Sequence, residues 1–597
     1  MTYIRLDKLR AVYKPQLPEV LEHPTKLDVS TNAATPDERI AALFPHTAQL
    51  PVVSLAAADV EAEATSPLTV GVLLSGGQAP GGHNVIAGIF DALKMHHPAS
   101  ILYGFIMGPG GLLRGEAREL TADVINRYRN TGGFDMIGSD RTKLETKEQF
   151  EQVLLHAHRL ALDALVVIGG DDSNTNAALL AEYCRSVNDP LCVVGCPKTI
   201  DGDLKNGWVE TSFGFDTCVK VYAELVGNIQ RDCYSSKKYW HFVKLMGRST
   251  SHLTLECALM TQPTVAIISE EVAARGLTLG DLVRQLADVI VDRSRRGMDF
   301  GVVLIPEGLI EFVPKVRRLI AALNRVLAEN GHKLHLVKES QIINYIASKL
   351  SDEDEETLRS LPEEVARQLA LERDPHGNVQ VSRIETESLI VTLLGQELEK
   401  RRSQGEFEGN LSPLTHFFGY EGRCSMPSNF DASYCYALGR TAVALAKEGC
   451  SGYMATVGNL VHPPKEWIPR GIPLTEMLTI EERNGVDKPV IAKALVDIEG
   501  APFRYFREHR KEWAEGIAFR YPGPIQYFGP SAVCDATTIT LRLEHALEPE
   551  EDIETIWFRL FVPRPSLGEV VFFPSPDIGV EVSIIAAQSL SLPYDVN

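Results

Sequence analysis

The stretch Leu68–Asn84, LTVGVLLSGGQAPGGHN, decides the fold. LTVGVLL is a short β-rich run, apolar on both faces, as a strand must be when crossover helices cover both sides of its sheet. A glycine pair, Gly76 and Gly77, closes it, and Gly81 and Gly82 then precede a helix-like stretch. The same unit recurs in ALVVIGG (Ala164–Gly170), CVVG (Cys192–Gly195), YWHFVKLMG (Tyr239–Gly247), TVAIIS (Thr264–Ser269) and FGVVLIPEG (Phe300–Gly308). Amphipathic segments separate most of these runs, an alternation that predicts an α/β protein with parallel sheets. One of those helices is explicit. Thr278 with Asp281 forms a capping-box start, Leu282, Leu286, Val289 and Ile290 share a face, and Gly297 ends it.

Several runs end in glycine or acid: Ser75–Gly77, Gly169–Asp172, Gly195–Asp203, Met246–Arg248, and Glu307 with Gly308. In open α/β sheets the carboxyl ends of strands line the ligand crevice, so these five ends are the candidate active site.

Outward from this block the pattern changes. Residues 1–67 hold several prolines and an alanine- and acid-rich segment at Ala56–Ala64 without strong periodicity, and read as an N-terminal extension. From Pro314 to about Glu408 the chain reads as a helical insertion, with Val316, Ile320, Leu323 and Leu327 on one stripe. Its acidic run SDEDEETLRSLPEEVARQLALERD reads as solvated helix faces. Strand and helix signals resume near Leu414, so the insertion interrupts an α/β domain.

Composition narrows the function. Of 597 residues, 44% are hydrophobic, 23% charged and 7% aromatic, which excludes a disordered, collagen-like or coiled-coil chain. Fifty-nine Lys and Arg against 79 Asp and Glu leave a net charge of −20, a field that argues against nucleic acid or anionic lipid as partner. An anionic metabolite held by a few local cations stays compatible with it. The ten cysteines lack paired short spacings, and Cys192 with Cys196 has no second pair to complete a zinc site, so buried thiols in a reducing, cytoplasmic setting are expected. No run of about 18 apolar residues occurs, and Arg5, Asp7, Lys8 and Arg10 have no apolar block behind them, so neither membrane span nor signal peptide is expected.

Three strand-end segments carry chemistry. Gly76 and Gly77, and separately Gly81 and Gly82, offer turns where backbone N–H groups can crowd onto a phosphate, although neither matches a dinucleotide fingerprint or a Walker loop. GGDDSNT (Gly169–Thr175) adds adjacent carboxylates that point to opposite sides if the chain is extended. A carboxylate beside a phosphate-binding turn calls for a cation between them, making one Asp a candidate Mg²⁺ ligand, with an N-cap role for either Asp or Ser173 as the structural reading. PKTIDGD (Pro197–Asp203) places a lysine, a hydroxyl and two acids on one loop. That set can supply a cation for phosphate, a carboxylate to accept a hydroxyl proton and Thr199 to hold the acceptor, which together suggest phosphoryl transfer to an alcohol.

In order and approximate spacing, GGDDS, PKTIDGD, MGR (Met246–Arg248), PEG (Pro306–Gly308) and GYEGR (Gly419–Arg423) resemble the phosphofructokinase family over about Leu68–Arg423. The long chain with its helical insert resembles the long pyrophosphate-dependent branch. The resemblance implies two Rossmann-like parallel-sheet domains. Residues 68–214, completed by about 424–540, would form the phosphoryl-donor domain and 215–423 the sugar-phosphate domain, with the insertion at about 314–408 and a C-terminal segment at 541–597. It implies Mg²⁺-dependent, reversible transfer from pyrophosphate to the 1-hydroxyl of fructose 6-phosphate.

By the same resemblance, Asp201 corresponds to the acceptor of the hydroxyl proton, flanked by Thr199 and Ile200 as sugar-phosphate contacts, and Asp171 to the Mg²⁺ ligand. Gly76 falls where the donor phosphate approaches. Met246, Gly247, Arg248, Glu307, Tyr420 and Arg423 fall on sugar-phosphate positions, and Lys238 with Tyr239 on a pair lent across a dimer interface, implying a homodimer or higher homo-oligomer. Tyr420 replaces the histidine of smaller ATP-using relatives, whose upstream arginine spacing is not reproduced near Leu414.

Two positions bear on the donor. ATP-dependent relatives generally carry glycine where this chain has Asp172 and Lys198. Asp172 sets a negative side chain where the nucleotide's α-phosphate must lie, and Lys198 adds a compact positive charge at the transferred phosphoryl. Against this reading stand an ATP-dependent kinase of the same fold, which those two residues oppose, and a non-catalytic regulatory subunit, which the retained Asp171, Asp201 and Arg248 oppose. A nicotinamide dehydrogenase lacks its fingerprint here.

Overall fold

The structure is a computed structural model that describes residues 5–29, 37–58, 66–330, 341–371, 384–483, 486–549, 570–574 and 581–585. Most of the 56–64 acidic segment and of the 541–597 segment, and the end of the acidic run in the insertion, lie outside the described residues.

In chain order the strands are β1 (Thr25–Val29), β2 (Val53–Ala57), β3 (Thr69–Ser75), β4 (Ile101–Phe105), β5 (Ala117–Glu119), β6 (Ser139–Asp140), β7 (Ala164–Gly169), β8 (Cys192–Thr199) and β9 (Phe213–Gly214). Then come β10 (Tyr239–Leu245), β11 (Val265–Ala266), β12 (Phe300–Pro306), β13 (Pro413–Phe418), β14 (Tyr453–Gly458), β15 (Ile468–Pro473), β16 (Leu478–Arg483) and β17 (Val486–Ile491). The larger sheet has the order β1-β2-β15-β14-β8-β7-β3-β4-β5, with β6 and β9 beside the ends of β3 and β8. Its centre, β14 to β4, is parallel. Its margins β1, β2, β15 and β5 are antiparallel. The second sheet is parallel throughout, in the order β11-β12-β10-β13.

Strand order locates the crevices. From β3 the chain moves to β4 on one side and later to β7 on the other, so the switch point lies at the carboxyl ends of β3 and β7. In the second sheet β11 and β12 lie to one side of β10 and β13 to the other. At such points the connections diverge and leave a gap for a ligand. Glycine-rich Gly76 and Gly169 stand at the first gap and Met246 at the second, with Glu307 on the neighbouring strand end.

Every residue of β7 and β12 is buried, as strands covered on both faces require. The main core gathers Val70, Val72 and Leu74 of the first sheet with Val243, Leu245, Val302 and Leu304 of the second, through the helices Gly82–His96, Phe215–Ser236 and Asn429–Lys447. The capping box expected at Thr278 is present, and its helix runs Leu279–Arg295.

Two expectations need correction. The first 67 residues are not only an extension: β1 and β2 join the margin of the large sheet through β15. In the insertion, the buried seam of Pro314–Asn330 runs through Val316, Leu319, Leu323 and Val326, whereas Ile320 and Leu327 are only partly buried. That seam packs with Phe242 and Ile305 against the outer face of the second sheet. Its neighbouring acidic helix, Asp352–Ser360, is mostly solvated, but Asp354 is buried and accepts from Arg318 Nε at 2.9 Å.

Candidate active site

Gly76 leaves β3 with φ +82°, a left-handed turn that favours glycine. The turn is pinned from β6, where Asp140 O accepts from Gly76 N–H at 2.8 Å and Ser139 Oγ donates to Gly76 O at 3.0 Å. A side-chain carbon on Gly76 would sit 3.2 Å from Lys198 Nζ, and one on Gly77 would overlap the Arg423 guanidinium. Arg423 Nε also donates to Gln78 O at 3.3 Å. Two cations from separate loops thus converge on the first glycine pair. The second pair behaves otherwise: side chains on Gly81 and Gly82 would strike Cys435 Sγ and the Phe134 ring. Gly81 and Gly82 let the Gly82–His96 helix seat tightly, so the phosphate role considered for them gives way to packing.

The helix Asp171–Ser186 begins directly after Gly170, its N-cap, so Asp171 and Asp172 lie on a first helical turn rather than in extended chain. They are separated by about 100° around the axis instead of facing opposite ways. Neither Asp nor Ser173 caps it; Ser173 Oγ donates to Ser75 Oγ at 2.8 Å. Both acids favour the positive end of the helix dipole. Asn174 ties the local backbone together, donating from Nδ2 to Gly169 O at 2.6 Å, Gly170 O at 3.0 Å and Cys196 O at 3.3 Å. Asp172 is exposed, and Asp171 is part-exposed with Lys493 Nζ 3.5 Å from Oδ2.

Lys198 is buried near the end of β8, and Thr199 Oγ1 accepts from Asp201 N–H at 3.1 Å, shaping the loop that presents Asp201. Ile200, within this loop, turns into the main core and is buried. Burial draws the Lys198 ammonium down to about 8, with Arg423 and Arg141 acting in the same sense against Asp171 and Asp201. Burial also pushes Asp201 up to about 6, reinforced by Glu307 and opposed by Lys493, Arg423 and Lys198. Asp203, buried beside it, is raised by burial and by the Asp201 charge.

On the second sheet, Gly247 N–H donates to buried Glu307 Oε2 at 3.1 Å, joining the ends of β10 and β12. Burial raises Glu307, while the charges of Lys244 and Arg248 oppose the rise. Arg248 is exposed at the crevice, and Met246 N–H donates to Phe418 O at 2.9 Å. Tyr420 is 70% exposed and lies under the Arg423 guanidinium at 5.5 Å.

Asp171, Lys198, Asp201, Glu307 and Arg423 are therefore brought into one electrostatic neighbourhood, with Gly76, Thr199, Met246, Gly247 and Arg248 on its rim. Lys238 and Tyr239 are not. They stand at the opposite end of β10, roughly 20 Å from Met246 at about 3.3 Å per residue. The sequence reading missed Lys493 and Arg141. Lys493 follows β17 in a segment without glycine-rich or motif signal; Arg141 follows β6, where the preceding Gly138 was the only hint.

Residues 69–446 match the family model Phosphofructokinase. The chain belongs to the phosphofructokinase family. It is 57% identical over 541 residues, 90% of this chain and 98% of the relative, to a pyrophosphate–fructose 6-phosphate 1-phosphotransferase of Porphyromonas gingivalis. To the protein of that name from Entamoeba histolytica it is 49% identical over 91% of this chain and all of the relative. To the subunit beta of Ricinus communis it is 50% identical over 91% of this chain and 97% of the relative. The motif segments quoted above fall inside the family-matched span, whereas Lys493 lies beyond it. Among the described residues, no helix is long and apolar enough to cross a membrane.

Proposed function

We propose that this phosphofructokinase catalyses reversible transfer of a phosphoryl group from pyrophosphate to the 1-hydroxyl of fructose 6-phosphate, giving fructose 1,6-bisphosphate and phosphate. The observation that carries the reading is Lys198, whose buried ammonium lies under the Gly76 turn on the same loop as Asp201. The names of the relatives at 49–57% identity support the same donor and acceptor.

Asp201 serves as the base. Held near 6, it is ionised at neutral pH yet basic enough to accept the proton as the sugar oxygen attacks. Lys198 and Arg423 neutralise charge on the phosphoryl at the glycine turn, so that catalysis is positioning and charge compensation. Thr199, Ile200, Met246, Gly247, Arg248, Glu307, Tyr420 and Arg423 form the sugar-phosphate side. Asp171 suits Mg²⁺: its carboxylate is part-exposed at the helix start beside the glycine turn, and Mg²⁺ characteristically binds through one or two carboxylates plus substrate phosphates. The ion would supply charge neutralisation of the pyrophosphate.

Asp172 and Lys198 select the inorganic donor, the first by excluding a nucleotide's α-phosphate, the second by adding a local cation. Lys238 and Tyr239, remote from the crevice of their own chain, serve a neighbouring subunit, making the working unit a homodimer or larger. The test is product formation by purified protein with fructose 6-phosphate, Mg²⁺ and either pyrophosphate or ATP. Turnover with pyrophosphate and little with ATP is expected; the reverse preference refutes the donor assignment.

A further inference from the structure

Beyond the family-matched span, the chain forms the β16–β17 hairpin and then a strap, residues 492–496, laid across the crevice mouth. Its anchors are specific. Ala492 N–H donates to Met477 O at 3.0 Å and Ala494 N–H to Asp203 O at 2.8 Å, while Val496 N–H donates to buried Glu270 Oε1 at 3.1 Å. Ala494 O lies 3.1 Å from Nε2 of His252. Glu270 Oε1 also accepts from Thr250 Oγ1 at 2.9 Å and Ser251 N–H at 3.0 Å, so one carboxylate fastens the strap to the loop after β10. The strap thereby touches both halves of the site.

Lys493 is the residue this anchoring positions. Its Nζ donates to Ser249 Oγ at 2.6 Å, beside Arg248 on the sugar side, and stands 3.5 Å from Asp171 Oδ2 on the donor side. Its charge acts on Asp201, Asp203 and Glu311. An ammonium has three donors, and the hydrogen bond to Ser249 occupies one. With 36% of its side chain exposed, Lys493 is accessible to a ligand at the crevice. Lys198 and Arg423 serve the Gly76–Gly77 turn; Lys493 is the cation set between Asp171 and Ser249, where the two halves meet.

We propose that Lys493 is a pyrophosphate-binding residue of this site, contributed from outside the family-matched span and directed at the phosphoryl group that passes between donor and sugar. The proposal rests on the pyrophosphate-dependent reading above. It assigns the hairpin and strap a function: they carry a further cation into the crevice, beside Lys198 and Arg423.

The test compares Lys493→Met, Lys493→Gln and Lys493→Arg with wild type. Thermal unfolding first checks folding. The rise in melting temperature is then titrated separately with pyrophosphate plus Mg²⁺ and with fructose 6-phosphate, and kcat and KM are measured for each substrate. Losing a hydrogen bond to a charged group should raise the pyrophosphate requirement of the two neutral variants about tenfold or more, with the fructose 6-phosphate titration within about twofold of wild type. Lys493→Arg should recover most of the loss. Unchanged pyrophosphate titration in a folded neutral variant overturns the proposal. So does an equal loss in Lys493→Arg, a loss confined to fructose 6-phosphate, or failure of both neutral variants to fold. Wild-type protein without pyrophosphate-dependent turnover would refute the functional reading instead, whatever Lys493 binds.

Discussion

The ammonium of Lys198 lies 3.2 Å from where a side-chain carbon on Gly76 would stand, so the first glycine turn and the PKTIDGD loop share one small space. Gly76→Ala must place a methyl group there with φ at +82°, a conformation costing about 1–2 kcal/mol for a residue with a Cβ. We expect kcat/KM for pyrophosphate to fall about tenfold or more, since about 1.4 kcal/mol is a factor of ten. Steady-state kinetics with pyrophosphate varied at saturating sugar checks this.

Asp201→Asn keeps the shape of the side chain and removes the proposed base. Turnover should drop by about 100-fold or more with a much smaller change in KM. A variant retaining wild-type turnover would remove Asp201 from the proton-transfer role.

The pH profile follows from two groups. Asp201 must be ionised to accept a proton, and burial holds it up at about 6, so activity should rise with pH through that value. Lys198 must be charged, and burial draws it down to about 8, so activity should fall above that value. The measurement is kcat/KM across pH, which reports the free enzyme. The acid limb should vanish from the residual activity of Asp201→Asn.

Donor choice is tested by Asp172→Gly combined with Lys198→Gly. The pair removes the charge proposed to oppose a nucleotide and the cation proposed to favour the inorganic donor. Pyrophosphate turnover should fall and ATP turnover rise relative to wild type, read as the ratio of the two kcat/KM values. Undiminished use of pyrophosphate by the double variant would contradict the assignment.

A purely structural glycine provides the contrast. A side-chain carbon on Gly88 would lie 2.3 Å from Tyr436 O, where the Gly82–His96 and Asn429–Lys447 helices cross. Gly88→Ala should destabilise the protein by about 1–3 kcal/mol, as overpacking does. Calorimetry should show a lower melting temperature, with KM for pyrophosphate unchanged below the transition.

How much of this was legible depended on whether one residue's chemistry is local. The strand ends were readable because an apolar run closing in glycine or acid is a pattern within a few residues, and Lys198, Asp201 and Glu307 all stand on such ends. Gly81 and Gly82 were ambiguous for the same reason: a glycine that clears room for Cys435 and Phe134 reads like one that cradles an anion. That Asp171 and Asp172 share a helical turn is not legible, because nothing in GGDDSNT marks where strand stops and helix starts. Lys493 was invisible, since its meaning comes from Ser249 and Asp171, both far away in sequence. The strands of the first 67 residues were hidden because their pairing partner, β15, comes some four hundred residues later.

That last pairing bears on how the molecule is made. The Tyr453 hydroxyl donates to Pro51 O across 402 positions, and Val193 N–H to Ser451 Oγ across 258. Contacts so distant in sequence close late and slowly. On a translating ribosome the early β-units would emerge and wait, their hydrophobic edge unsatisfied, until the segment bearing β14 and β15 appeared. Chaperone dependence during synthesis should therefore be concentrated in that interval.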